Sequence, residues 1–185
     1  FGVDKNYEAV PLLCGSYAVS EDLMTYYFYL APGATFSDGT AVTMNDVYAS
    51  YQVAQETEMY RNRFYHFSDI SVNEAGALVV QLDTAFENLP ILMDIPIIKA
   101  SEVDSDRPLG AGPYFFENSI SGLQLRRRTN WWCESEDLAA AATSVSLTVA
   151  ESPSQIRNEF QFANVDLVVA DPGSDFYADY RGRGP

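Results

Sequence analysis

Residues Thr25 to Ser50 read TYYFYLAPGATFSDGTAVTMNDVYAS, an aromatic strand, an acidic glycine turn and a capped helix in fixed order. Tyr26-Tyr27-Phe28-Tyr29-Leu30 puts large side chains on both faces of a period-2 segment, which predicts a strand with neither face open to solvent. Asp38-Gly39 turns the chain, because glycine accepts positive φ and aspartate tolerates it. Thr43 is the predicted N-cap, with Asp46 three residues on in a near relative of the capping box. Met44, Val47, Tyr48 and Tyr51 then fall on one face of a helix running to Glu56.

Working outward, a strand over Leu13 to Val19 precedes this block, and a hairpin follows it, Ile70 to Val72 and Leu78 to Leu82 around Asn73-Glu74-Ala75-Gly76. Pro90 opens a short helix through Met93, and Pro96 keeps Ile95 extended. Tyr114 to Glu117 and Leu123 to Arg128 flank Ser119 to Gly122 as a second hairpin, and the G-A-G-P turn before it is read with Gly112 at positive φ. Val145 to Val149 is a strand, Ser152-Pro153-Ser154-Gln155 starts a helix, and Val165 to Val169 closes a parallel, right-handed β-α-β unit. From Asp171 the chain turns rich in glycine and proline without apolar periodicity, a tail or linker.

At 185 residues and 47% hydrophobic composition, the chain is long enough for one sizeable core. Its net charge of −15, from 26 acidic and 11 basic residues, argues against nucleic acid and against an anionic membrane surface, both of which attract basic patches. The one basic run, Arg126-Arg127-Arg128, reads as a solvated strand. No apolar stretch reaches ~18 residues, and no signal peptide is expected within the sequence, since Phe1 reads as opening inside mature sequence. Cys14 and Cys133 read as separate core thiols, with a disulfide as the alternative. His66, the single histidine, removes a two-histidine metal site and most Ser-His-Asp chemistry, and reads as structural or a polar contact. Glu134, Glu136 and Asp137 lack calcium-loop spacing, and Gly110-Ala111-Gly112-Pro113 opens no helix as a dinucleotide fingerprint would. No cofactor, metal or catalytic residue is expected.

Read for wording as well as pattern, F-S-D-G-T followed by T-x-x-D-V-x-x-S-Y resembles the segment shared by family 5 solute-binding proteins of ABC transporters, the oligopeptide, dipeptide and nickel binders. LCGSYAVSED at Leu13 to Asp22, PLGAGPYF at Pro108 to Phe115 and LRRRTNWW at Leu125 to Trp132 are similar to further blocks of that family in the same order. Ser144 to Asp171 resembles its strand, helix and "G-x-x-D" strand, with Asn164 where the family has glycine. The resemblance implies a mixed α/β chain, periplasmic-binding-protein type II-like. It would be a first lobe with an inserted subdomain at about 30–100, lobe sheet at about 1–29 and 101–171, a tail at 172–185, and the second lobe missing. It also implies a peptide or similar small-molecule ligand, ABC permease subunits as partners, a monomer outside the cytoplasm, and membrane attachment only through an upstream lipid anchor. The alternative is the solute-sensing domain of a transcription regulator.

Two segments qualify as ligand-facing. Tyr60-Arg61-Asn62-Arg63-Phe64-Tyr65-His66 follows the long helix, and Ile95-Pro96-Ile97-Ile98 resembles the family's "P-I-V-P" strand into the cleft. In the nickel-binding branch, comparable aromatic and arginine residues approach the ligand, which nominates Arg63, Phe64, Tyr65, His66 and Ile97. The competing reading makes Phe64 and Tyr65 core and leaves Arg61 and Arg63 solvated. One lobe supplies half a cleft's contacts, so losing half of the about 8 kcal/mol behind micromolar binding leaves near-millimolar affinity.

Overall fold

The computed structural model describes residues 1–4, 6–119, 122–133, 141–169 and 180. The chain divides into two compact units, Phe1–Phe116 with Arg126–Ser144, and Glu117–Leu125 with Val145–Pro185.

The first unit opens with a small antiparallel pair, β1 (Gly2–Val3) and β2 (Ala9–Val10). Next come β3 (Cys14–Val19), β4 (Thr25–Leu30), α1 (Met44–Glu56), β5 (Phe67–Val72) and β6 (Leu78–Leu82). The larger sheet is antiparallel throughout, in the order β3-β4-β6-β5. β3 and β5 are its edges. β3 carries no charged residue and is exposed from Gly15 to Val19, whereas β5 places Asp69 on its edge.

The Asn73-to-Gly76 turn closes as expected, with Gly76 at φ +76° and its N–H donating to Asn73 O at 3.0 Å. Gly39 likewise takes φ +85° in the Phe36-to-Thr40 turn. The capping box at Thr43 is complete. Asp46 Oδ2 accepts from Thr43 N at 2.8 Å, and Thr43 Oγ1 accepts from Asp46 N at 3.4 Å.

Tyr26, Phe36, Leu78, Val80 and Leu89 form the centre of the core. Each contributes about 1.5–3 kcal/mol of hydrophobic burial relative to exposure. Tyr26 can lie there because its hydroxyl donates to Phe86 O at 2.8 Å. The expectation that both faces of β4 are shielded is corrected. Tyr26 and Phe28 are buried, but Tyr27 is half-buried and Tyr29 is 38% exposed, because only one sheet face packs against α1 and the core. Because β4 pairs with β6, the sheet joins Cys14–Leu30 to the hairpin beyond residue 60.

β7 (Tyr114–Ser119), β8 (Gly122–Arg127) and β9 (Ser144–Leu147) form a three-stranded sheet in that order, while Ile120 and Ser121 in the connecting turn lie outside the described residues. In the second unit, α2 (Pro153–Gln161) starts at Ser152, whose hydroxyl accepts from Gln155 N at 3.2 Å. The closing strand at Val165 to Val169 does not form. Ala163 turns out of α2 at φ +55°, and Leu167 and Val169 are 82% and 96% exposed, with no strand beside them among the described residues. β9 also stops at Leu147, leaving Val149 outside it. Glu134, Glu136, Asp137, Ala170 and the stretches 171–179 and 181–185 of the glycine- and proline-rich end lie outside the described residues. No described helix is long and apolar enough to cross a membrane.

Candidate functional site

Residues 93 to 100 run past α1 without joining the sheet, since Pro96 has no N–H to give and, among the described residues, this segment's β-bridge is Ile98 to Gly110 alone. A backbone so placed must find partners for its polar groups, and side chains from the opening block supply many of them. Tyr51 Oη donates to Met93 O at 2.9 Å. Ser50 Oγ accepts from Ile98 N at 2.9 Å and donates its one proton to Asp46 O at 2.7 Å, with Ile98 O a second acceptor at 3.2 Å. Asp46 Oδ1 accepts from Ala100 N at 2.8 Å, and Asp38 Oδ2 holds Lys99 Nζ at 2.6 Å. So the D, S and Y of T-x-x-D-V-x-x-S-Y, and the D of F-S-D-G-T, form a cradle for one irregular segment about fifty residues downstream.

Charge follows this geometry. Lys99, with help from the Thr40 hydroxyl and amide, holds the Asp38 carboxyl well below the usual carboxylate range, and Asp38 in turn raises Lys99. Burial pushes Asp46 upward, but the Ala100 amide and the Thr43 donors outweigh it and leave its pKa lowered. Burial drives the Tyr51 hydroxyl far up, so it keeps the proton it donates to Met93 O.

The Pro108-to-Phe115 block braces the far side. Lys99 N donates to Leu109 O at 2.9 Å and Ala111 N to Ile97 O at 3.2 Å. The indoles of Trp131 and Trp132 both donate to Ala111 O, at 3.0 and 2.9 Å. Arg128 corrects the solvated reading of its run, for it is 6% exposed and donates to Thr35 O at 2.9 Å and Thr35 Oγ1 at 3.0 Å. Burial lowers its pKa, opposed by Asp38. Gly112 is a second correction, as it is not among the positive-φ glycines and a Cβ there would meet nothing within 4 Å. The turn is carried by bonds to its neighbours' carbonyls.

Of the nominated residues, Arg63 does reach the 93–100 segment, donating to Asp94 O at 2.7 Å while its guanidinium lies 5.4 Å from the Tyr60 ring centroid. Phe64 is in the core, edge-on to Tyr51 and Phe67. Tyr65 is 81% exposed, and His66 beside it meets Asp83 Oδ1 at 3.1 Å. Ile97 is half-buried and lines an apolar cavity of about 50 Å³ with Cys14, Met44, Tyr51, Met93 and Ile95. Cys14 and Cys133 are both free thiols, and burial pushes Cys14 up. The described residues hold no group of three or more metal-ligating side chains. The cradle's partners Lys99 and Ala100 were missed by sequence reasoning, and Ile98 was read within a ligand-facing segment and not as a gripped residue, because motif spacing reveals the donors and acceptors but not what they grip.

The profile of bacterial extracellular solute-binding proteins, family 5 Middle, matches residues 8–183. The glutathione-binding protein GsiB of Pectobacterium atrosepticum is 27% identical over a match covering 71% of this chain and 28% of that protein. A probable peptide ABC transporter periplasmic-binding protein, y4tO of Sinorhizobium fredii, is 30% identical, covering 65% of this chain and 25% of that protein. The chain thus spans little more than a quarter of the length of these relatives. Among solved structures, NikZ from Campylobacter jejuni, in complex with Ni(L-His), superposes with TM-score 0.67 at 17% identity, covering 89% of this chain and 35% of that one. AppA from Bacillus subtilis, in complex with a nonapeptide, gives 0.64 at 15% identity, with 89% and 36% covered. At these identities the structures speak for a shared fold, the type II periplasmic-binding architecture, of which this chain is a part.

Proposed function

This chain belongs to the bacterial extracellular solute-binding proteins of family 5, and from that premise we propose that it is part of a receptor that captures a peptide or similar small solute for an ABC importer. The observation that carries this is the family match over residues 8–183, whose signature residues are the ones that cradle segment 93–100. A signature spent on holding a non-sheet segment rigid is understandable if that segment meets a ligand, because a pre-ordered backbone avoids the entropy of ordering on binding. The named relatives handle glutathione and peptides, which motivates the solute class. Arg63 and Ile97, anchored at that segment, with Tyr65 and His66 exposed nearby in sequence, are the contact residues on this reading. Phe64 supports them from the core.

The same reading places the protein outside the cytoplasm, tethered by a lipid anchor or free in the periplasm, as a monomer meeting permease subunits and performing no catalysis. These residues then form one wall of a site that further polypeptide completes. No observation favours the sensing-domain alternative. Calorimetry with di- to pentapeptides, on this chain and on a polypeptide of the relatives' full length, tests the reading. Weak, near-millimolar binding by the chain and micromolar binding by the longer protein is expected, with the longer protein's affinity lost in Arg63→Ala. A longer protein that binds no peptide would refute it.

A further inference from the structure

Arg128 is 6% exposed, and the protein around it answers only part of its guanidinium. One edge is spent on Thr35, with Nη1 donating to Thr35 O at 2.9 Å and Nη2 to Thr35 Oγ1 at 3.0 Å, while Gly112 O accepts weakly from Nη1 at 3.4 Å. Nε, on the other edge, is buried and has no partner. Among the described residues no carboxylate lies within ion-pair distance of it. Asp38, the acid whose charge reaches Arg128, has Oδ2 on Lys99 Nζ at 2.6 Å and Oδ1 on the Thr40 amide and hydroxyl at 2.9 and 2.6 Å. The carbonyls alongside are engaged as well, Pro113 O by Arg128 N and Ala111 O by the two indoles. A second orphan is the Ser37 hydroxyl, whose oxygen is also buried without a partner. Ser37 stands in the chain between Thr35, which Arg128 grips, and Asp38, whose charge it feels, so both orphans belong to one corner of the first unit.

A buried cation is costly unless it is paired, and arginine cannot escape by releasing its proton. An unanswered guanidinium N–H with a hydroxyl donor in the same corner is what an anion requires, charge-assisted donors with no acceptor competing for them. A water there would satisfy the N–H and leave the charge unbalanced. Burial admits only a small ion, and a single negative charge balances one guanidinium. We propose that Arg128 Nε and the Ser37 hydroxyl bind a small monovalent anion of about chloride size, held inside the first unit as a structural ion. The site stands apart from the receptor reading. Its occupant ties the turn that follows Thr35 to the turn at Gly112, the two blocks that flank Lys99.

Chloride is the probe, titrated against the bulky anion gluconate during urea unfolding of this chain. Total ionic strength is held at about 0.15 M, where the field of the −15 charge is screened beyond about 8 Å. The unfolding constant should fall about tenfold for each tenfold rise in chloride above its dissociation constant, because only the folded chain holds the site. Arg128→Met should abolish that dependence and Ser37→Ala should weaken it. No chloride dependence in the unmodified chain would overturn the proposal, leaving water or nothing against Nε. A dependence that either variant leaves unchanged would overturn it too, since the ion then rests on other groups. If Arg128→Met does not fold, crystals of the unmodified chain grown in bromide decide the matter. An anomalous peak at hydrogen-bonding distance from Arg128 Nε upholds the site, and bromide found only elsewhere overturns it.

Discussion

Asp46→Ala should loosen the cradle more than any other single change at α1. The carboxylate accepts from Thr43 N at 2.8 Å and from Ala100 N at 2.8 Å, and the residue is 7% exposed. Alanine leaves two amides with no acceptor, and a buried unsatisfied donor costs about 1–3 kcal/mol. Both sites are only part-buried, so water relieves some of this, and a loss of about 2–4 kcal/mol is expected. At this chain length that corresponds to roughly 5–15 °C in melting temperature. Asp46→Asn, which keeps one acceptor oxygen, should fall between the two. Urea unfolding followed by circular dichroism gives the total, and amide exchange locates it. Exchange at Ala100 and Ile98 should accelerate well beyond that of β4 and β6. A loss below about 0.5 kcal/mol, or exchange that rises equally everywhere, would refute the account of Asp46 as the tie between α1 and residue 100.

Gly112→Ala should leave stability within about 0.5 kcal/mol of the parent, because the added Cβ meets open space at an ordinary φ, whereas Gly39→Ala at φ +85° should cost roughly 1 kcal/mol or more in urea denaturation. Arg128→Lys should cost about 1–3 kcal/mol by the same assay, since a single ammonium cannot reproduce the fork that spans Thr35 O and Thr35 Oγ1. For pH, Asp38 and Asp46 both have lowered folded pKa values. Their contribution is therefore complete above the unfolded carboxylate value of ~3.9 and is lost as pH falls through the folded values. The urea midpoint should hold from about pH 6 to 5 and fall below about pH 4, less steeply in Lys99→Met.

What could be read from residues alone was local. Thr43 and Asp46 sit three apart, so the cap and the start of α1 followed from a short-range rule, and the Asn73-to-Gly76 turn followed from its glycine. What could not be read was long-range. Arg128 looked like its two exposed neighbours until its guanidinium was seen to reach Thr35, 93 residues earlier in the chain. Gly112 was assigned a strained φ because it lies in a turn, but the neighbouring carbonyls of Ala111 and Gly112 are held by indoles and Arg128, so no left-handed residue is needed. Val165 to Val169 has a strand's composition, yet a strand is a property of two segments, and composition does not supply the second. At the site, the nomination of Arg63 and Ile97 rested on a likeness of wording. The bond from Arg63 to Asp94 O ties the first nominated segment to the residue just before the second, a juxtaposition that neither segment's sequence contains.

The bare edge at β3 has a consequence for the protein as a colloid. A six-residue strand of Cys, Gly, Ser, Tyr, Ala and Val, with no strand on its outer side among the described residues, offers another molecule a backbone edge with no lysine, proline or buried charge to repel it. Protection against sheet-to-sheet stacking therefore falls to the molecule's overall charge of −15, a long-range and non-specific guard. Such a guard is only as good as the Debye length, about 8 Å at physiological ionic strength and about 3 Å in 1 M salt. Concentrated brine or a pH near the pI of about 4.2 would strip it away, and the first surfaces to meet would be two copies of β3.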